Sequence, residues 1–272
     1  MFDGKTIVIT GGSSGLGKAL AERVAKRGGN LALIARDQKK LLSAQEELKK
    51  MAGAGRRIEN FPCDVSDAES TMSAFKAIAD SLGPPDILIN SAGILRESHF
   101  EKQGLKTFRE VIDINFFGTL HCIKAVLPYF KEKGGGRIVN ICSMAGLMGV
   151  FGYSAYCSSK HAIAGLTHSI RGELKPLNIT VQIVYPHEFD SPMVDEINTY
   201  RSIENKMVVQ TIPTLSLDTV ADAVIEGMEK DKYEIIPGVM ARAVARANRW
   251  FPGISRMIMD SRIKKYFRSN GN

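Results

Sequence analysis

None of the four cysteines (Cys63, Cys122, Cys142, Cys157) stands in a Cys-x-x-Cys pair or at a metal-ligand spacing. No disulfide framework is expected, and the thiols read as reduced, in a cytoplasmic protein or one held at the cytosolic face of a membrane. The five histidines show no paired ligand spacing, so no metal is expected. No signal peptide is expected, because polar Asp3, Gly4 and Lys5 precede an apolar run of only strand length. No stretch reaches the roughly 18 apolar residues that a membrane span needs. Internal repeats and low-complexity linkers are also absent. Residues 1–239 carry no charge surplus, with 28 basic and 28 acidic side chains. The net +7 belongs to the tail, where Arg242, Arg246, Arg249, Arg256, Arg262, Lys264, Lys265 and Arg268 face only Asp260. A neutral body argues against nucleic acid as a partner.

What is present is 272 residues, 44% of them apolar, enough for one large α/β domain. Short β-branched runs alternate with amphipathic segments. Strands are expected at 5–10, 30–34, 58–63, 86–90, 137–142, 180–185 and 233–236. Helices are expected at 15–27, 39–51, 68–81, 105–131, 153–174 and 217–230. Buried strands separated by helices predict a Rossmann-type, doubly wound, seven-stranded parallel sheet covered on both faces. The division expected is a dinucleotide-binding domain over 1–238 and a helical extension over 239–272.

The first strand runs into Thr10-Gly11-Gly12-Ser13-Ser14-Gly15-Leu16-Gly17, and a helix follows. Glycines let backbone N–H groups approach a pyrophosphate, and the helix N-terminus adds about half a positive charge. Gly11, Ser13, Ser14, Gly15, Leu16 and Gly17 are therefore cofactor candidates. The second strand ends Ala35-Arg36, where an NAD enzyme usually carries an acid for the ribose hydroxyls. An arginine fork suits a 2′-phosphate, which predicts NADPH/NADP+. Asp37, one position later, complicates that choice. Asp64 and Val65 end the third strand, in place to meet an adenine. Asn90-Ser91-Ala92-Gly93 ends the fourth, giving Asn90, Ala92 and Gly93 as further candidates. Asn90 has a second reading as a tie between strands.

Tyr156 and Lys160 stand four apart at the start of a helix, so they share a face. A phenol of pKa about 10 is a poor acid–base at pH 7, and a neighbouring cation lowers it. Bringing it near 7 takes about 4 kcal/mol, which Lys160 and an oxidised nicotinamide would supply together. Ser143, at the end of the fifth strand, can donate to a substrate carbonyl. Asn115 can hold a water against Lys160.

These residues, in this order and spacing, resemble the short-chain dehydrogenase/reductase family over about 4–238. The resemblance implies an Asn115–Ser143–Tyr156–Lys160 catalytic tetrad, with Tyr156 and Lys160 also contacting the cofactor, as would Pro186. It implies an oxidoreductase moving hydride between NADP and a carbonyl carbon, and homo-oligomers built through the helices at 105–131 and 153–174. Ser91 stands where the family commonly has a second asparagine, and His187 where it has glycine. The run Tyr185-Pro186-His187-Glu188-Phe189-Asp190-Ser191-Pro192 is similar to a subgroup, the 3-ketodihydrosphingosine reductases, which implies a long-chain lipid ketone as substrate. The membrane anchor of that subgroup's eukaryotic members is not expected here. Alternatives are a 3-oxoacyl thioester, a steroid or retinoid ketone, or a non-catalytic NADP-binding scaffold or sensor. A complete tetrad argues against the last.

The stretch 187–216 carries spaced apolar residues and predicts a partly helical lid over a greasy pocket. No charged group there stands out as partner for a polar head. In the tail, Met240, Ala243, Val244, Ala247, Trp250 and Phe251 form one stripe, with arginines off it, and Ile254, Met257 and Ile258 begin another. Two readings fit equally: an interfacial helix on anionic lipid, or a helix packed on protein.

Overall fold

The computed structural model describes residues 1–269. Seven strands form one parallel sheet in the order β3-β2-β1-β4-β5-β6-β7. They are β1 (Thr6–Thr10), β2 (Asn30–Ala35), β3 (Ile58–Pro62), β4 (Ile87–Asn90), β5 (Gly136–Ile141), β6 (Ile179–Val184) and β7 (Glu234–Ile235). Each expected strand appears, with ends moved by no more than a residue or two.

Side chains alternate across the sheet with a period of two. Ile7 and Ile9 meet α1 (Gly15–Lys26) and α9 (Leu217–Glu229) through Leu20, Val24, Val224 and Ile225. Val8 faces the other way, with Phe75 and Ile78 of α3 (Ala68–Leu82) and Ile123, Val126 and Phe130 of α5 (Gly118–Lys133). Fully burying one such side chain contributes about 1.5–3 kcal/mol. The remaining flanking helices are α2 (Gln38–Lys49), α4 (Leu105–Ile112) and α6 (Ser154–Leu174). The strand order reverses between β1 and β4, and a crevice opens there at the carboxyl edge.

The single helix expected over 105–131 is instead α4 and α5 joined by a π-helical turn, Asp113–Phe117. Its cause is Asn115. The side-chain amide donates to Ile94 O at 2.9 Å and its oxygen accepts from Ile94 N at 2.8 Å. Those long-range bonds pull the residue inward, and the helix takes up one extra residue. The continuous run Leu105–Lys133 is also apolar and long enough to cross a membrane by composition, which the sequence reading did not anticipate. Half of its apolar window is buried, with Cys122, Ile123, Val126 and Phe130 under the sheet.

Beyond β6 come two short helices, α7 (Pro192–Asn198) and α8 (Ile203–Val209). Beyond β7 come α10 (Val239–Trp250) and α11 (Pro252–Ser269). α10 packs on the domain through Ala241, Ala245 and Val244. Asn248 Nδ2 donates to Leu147 O at 2.9 Å, and Arg249 pairs with Glu234 at 2.8 Å. The face turned outward carries Val239, Met240, Trp250 and Phe251, all exposed. Of the expected stripe only Val244 docks: Ala243 and Ala247 are exposed along with Met240, Trp250 and Phe251, and the alanines that dock, Ala241 and Ala245, lie off it. Side chains at Ile254, Ile258, Lys265 and Arg268, invoked in the same reading, lie outside those described.

Candidate active site

The glycine loop follows β1 directly. Gly11 has φ +68° and Gly15 φ +50°, values that side chains rarely adopt. A Cβ on Gly17 would stand 2.2 Å from Gly11 O, so only glycine lets α1 close against the loop. Ser14 precedes α1 without capping it, and the first turn holds no acid. The amides of that turn are thus left for an anion such as a pyrophosphate. Thr10, which the sequence reading left out, shapes the crevice. Its hydroxyl accepts from Ser91 N and Ala92 N, each at 3.0 Å, and so ties the end of β1 to the end of β4.

At the end of β2, Arg36 is exposed and its Nη1 lies 3.8 Å from Asp64 Oδ2. Asp37 Oδ1 accepts from Lys40 N at 3.0 Å and caps α2. The acid that complicated the cofactor choice is therefore occupied by a helix end. Asp64 also accepts from Ser66 N and Oγ, at 3.0 and 2.7 Å. Val65 is buried against Gly118. Asn90 donates to Asn140 Oδ1 at 2.9 Å, and Asn140 to Thr167 Oγ1 at 2.9 Å. Its side chain therefore serves as a tie from β4 to β5 and α6, the second of the two roles expected.

Ser143, Tyr156 and Lys160 line one cavity of about 340 Å³ together with Gly11, Ser14, Gly15, Leu16, Gly17, Ala92, Gly93 and Pro186. Asn115, Ser13, Arg36, Asp64, Val65 and Asn90 lie outside its wall. Lys160 Nζ donates to Ile141 O at 3.0 Å and sits 5.5 Å from the centre of the Tyr156 ring. The Ser143 hydroxyl accepts from Ala145 N at 3.1 Å. Asn115 gives its remaining amide hydrogen to Ser159 Oγ at 3.0 Å, and its carbonyl accepts from Thr119 at 2.8 Å. It anchors the strand-four loop beside Gly93, where a Cβ would stand 3.1 Å from Asn115 Oδ1 and 3.8 Å from Lys160 Nζ.

Burial raises the Tyr156 phenol above its ordinary value, while the Ser143 hydroxyl pulls the other way. Burial likewise lowers Lys160. The depressed phenol expected from the Tyr–Lys pair is not what these side chains alone produce. Desolvation outweighs a cation whose nearest partner is a carbonyl. A phenol held protonated at neutral pH is a proton donor, which suits reduction.

The opposite wall is apolar, with Leu95, Met148, Val150, Met193, Val208 and Ile212. Pro192 lies 3.9 Å from the position a Gly15 Cβ would take, so α7 reaches over the glycine loop. α8 is fixed by Glu97, which accepts from Ser202 N at 3.1 Å and Ser202 Oγ at 2.7 Å. Met259 and Arg262 of α11 also line the cavity. A charged pair is set into this lid: Arg201 Nη1 donates to Glu188 Oε1 at 3.0 Å, and Arg201 Nη2 donates both to Glu188 Oε2 and, at 2.9 Å, to Tyr153 Oη. The two side chains are only 4% and 11% exposed. The sequence reading found no such group, because the partners stand 13 positions apart with α7 between them.

Residues 5–202 match the family model described as short chain dehydrogenase. The chain belongs to the short-chain dehydrogenase family. It is an oxidoreductase working between a ketone and an alcohol, and its residues at the adenosine end fit NADP. The chain is 35% identical over 227 residues to a 3-dehydrosphinganine reductase of Danio rerio, covering 83% of this chain and 68% of that one. It is 32% identical over 257 residues to a 3-ketodihydrosphingosine reductase of Dictyostelium discoideum, covering 89% and 77%. Levodione reductase superposes with a TM-score of 0.80 at 25% identity, over 89% of this short-chain dehydrogenase and all of that structure.

Proposed function

We propose that the enzyme is an NADPH-dependent reductase of a long-chain lipid ketone such as 3-ketodihydrosphingosine, with Tyr156 as proton donor. The carrying observation is one cavity that joins Tyr156, Ser143 and Lys160 to the glycine loop and to an apolar lid. The names of the relatives point to the same substrate class. Residues 1–238 would hold NADP, with its pyrophosphate on the α1 amides and its 2′-phosphate at Arg36. When bound, NADPH supplies the hydride. Ser143 then orients the carbonyl oxygen, Tyr156 protonates it, and Lys160 steadies the phenolate that remains. Such positioned proton transfer is worth roughly 10²–10⁴ in rate.

Two partners complete the proposal. A second copy would pack along α4, α5 and α6, where Leu105 of α4 and the neighbouring Phe100 and Phe117 are exposed. An anionic membrane surface would take Trp250 and Phe251, flanked by Arg242, Arg246 and Arg249, with residues 239–272 acting as the docking extension. NADPH consumption with 3-ketodihydrosphingosine, beside a 3-oxoacyl thioester of similar chain length, tests the function. Faster turnover of the thioester would overturn it.

A further inference from the structure

Glu188 is the one carboxylate among the described residues that line the cavity. The other charged groups on that wall are Lys160 and Arg262, both cationic. A protonated amine entering this space therefore meets a single counter-charge, and a buried charge without a counter-charge is costly. The pairing of Glu188 with Arg201 leaves room for it. A carboxylate has about four acceptor positions, and the arginine fork uses one on each oxygen. Next to it in the chain, His187 also lines the cavity, and its buried Nδ1 has no hydrogen-bond partner among the described residues. Burial holds this imidazole below its ordinary pKa, with Glu188 opposing. In the tautomer protonated at Nε2, the neutral ring offers Nδ1 as an acceptor. Two acceptors thus stand side by side in a wall that is otherwise mostly apolar.

The pair is also tied to the chemistry. Arg201 holds Tyr153 Oη at 2.9 Å, and the Tyr153 ring stands edge-on to Tyr156 with centroids 5.8 Å apart. A group bound at Glu188 is therefore placed by the same scaffold that sets the proton donor.

We propose that Glu188 and His187 form a subsite for a protonated amine, so that the enzyme selects ketones carrying an ammonium group close to the carbonyl. This rests on the ketone-reductase function proposed above and adds the feature of the substrate that is recognised. The lid then does more than cover a chain: its carboxylate sets which carbonyl of a lipid is presented to Tyr156.

The test compares three ketones of one chain length: a 2-amino-3-ketone, its N-acetyl derivative and the ketone without nitrogen. Wild-type enzyme is expected to favour the amine by at least tenfold in kcat/KM, mostly through KM. Glu188→Gln should cut that ratio at least tenfold, and Glu188→Asp should restore part of it. Because Glu188→Gln strands a buried guanidinium, the double variant Glu188→Gln/Arg201→Met is measured alongside, with NADPH binding as the check on folding. Equal kcat/KM for all three ketones in the wild type would overturn the subsite while leaving the reductase standing. An unchanged ratio in both variants would do the same. No turnover of any of the three would remove the proposed function and the subsite with it.

Discussion

Arg36 and Asp64 face each other across the exposed ends of β2 and β3, 3.8 Å apart. An exposed pair of this kind contributes about 0–1 kcal/mol, so a phosphate can displace the carboxylate at little cost. Asp37 does not compete, since it caps α2. Arg36→Ala should raise the KM for NADPH at least tenfold and leave that for NADH within about twofold. Steady-state kinetics with both cofactors decides it; equal losses would mean that Arg36 holds the loop rather than the phosphate.

Tyr156→Phe should retain NADPH binding in a fluorescence titration while turnover falls by about 10²-fold or more. The pH profile follows from the raised phenol. An acid whose pKa is raised stays protonated through neutrality and loses its proton only in strong alkali. Reduction should thus hold its rate up to about pH 9, and alcohol oxidation, which needs the phenolate, should climb with pH. A reductive rate already falling at pH 7 would show a depressed phenol instead.

Gly17→Ala places a methyl 2.2 Å from Gly11 O, where backbone must move. A cost of about 1–3 kcal/mol is expected. Thermal unfolding should show it without cofactor, and the gain in Tm on adding NADPH should shrink, because the shifted loop is the one proposed to hold the pyrophosphate.

Arg201→Met leaves Glu188 buried without its counter-charge, and the pair is 4% and 11% exposed. Urea unfolding should report a loss of about 3–5 kcal/mol. The double variant with Glu188→Gln should recover most of it. Recovery separates an unpaired charge from a packing defect.

Trp250 and Phe251 are 75% and 61% exposed, so replacing both with serine should leave the melting temperature unchanged. Co-sedimentation with anionic vesicles should fall several-fold, and neutral vesicles should bind neither form. Equal sedimentation of the two proteins would end the membrane proposal.

The sheet was readable because its strands are short β-branched runs buried on both faces, as in Thr6–Thr10 and Ile87–Asn90. The glycine loop and the Tyr156/Lys160 spacing were readable because each depends on neighbours within one turn. What escaped depends on distance. The π-helical turn at Asp113–Phe117 exists because Asn115 reaches Ile94, 21 residues away. Glu188 and Arg201 meet from the two sides of α7, and Thr10 meets the amides of residues 91 and 92 through an 80-residue crossover. In the tail, hydrophobicity alone misled: the docked face is that of Ala241, Val244 and Ala245, while Ala243, Ala247 and the larger Met240 and Trp250 remain outside.

Met259 and Arg262 belong to the last helix yet share a wall with Tyr156. The ceiling of the reaction chamber is thus hung from the chain's far end, while its floor is laid by β1, β4 and β5. Drift in the final turns can resize the room without disturbing the chemistry below. Relatives that differ mainly at this end should therefore sort by the length of the guest they admit.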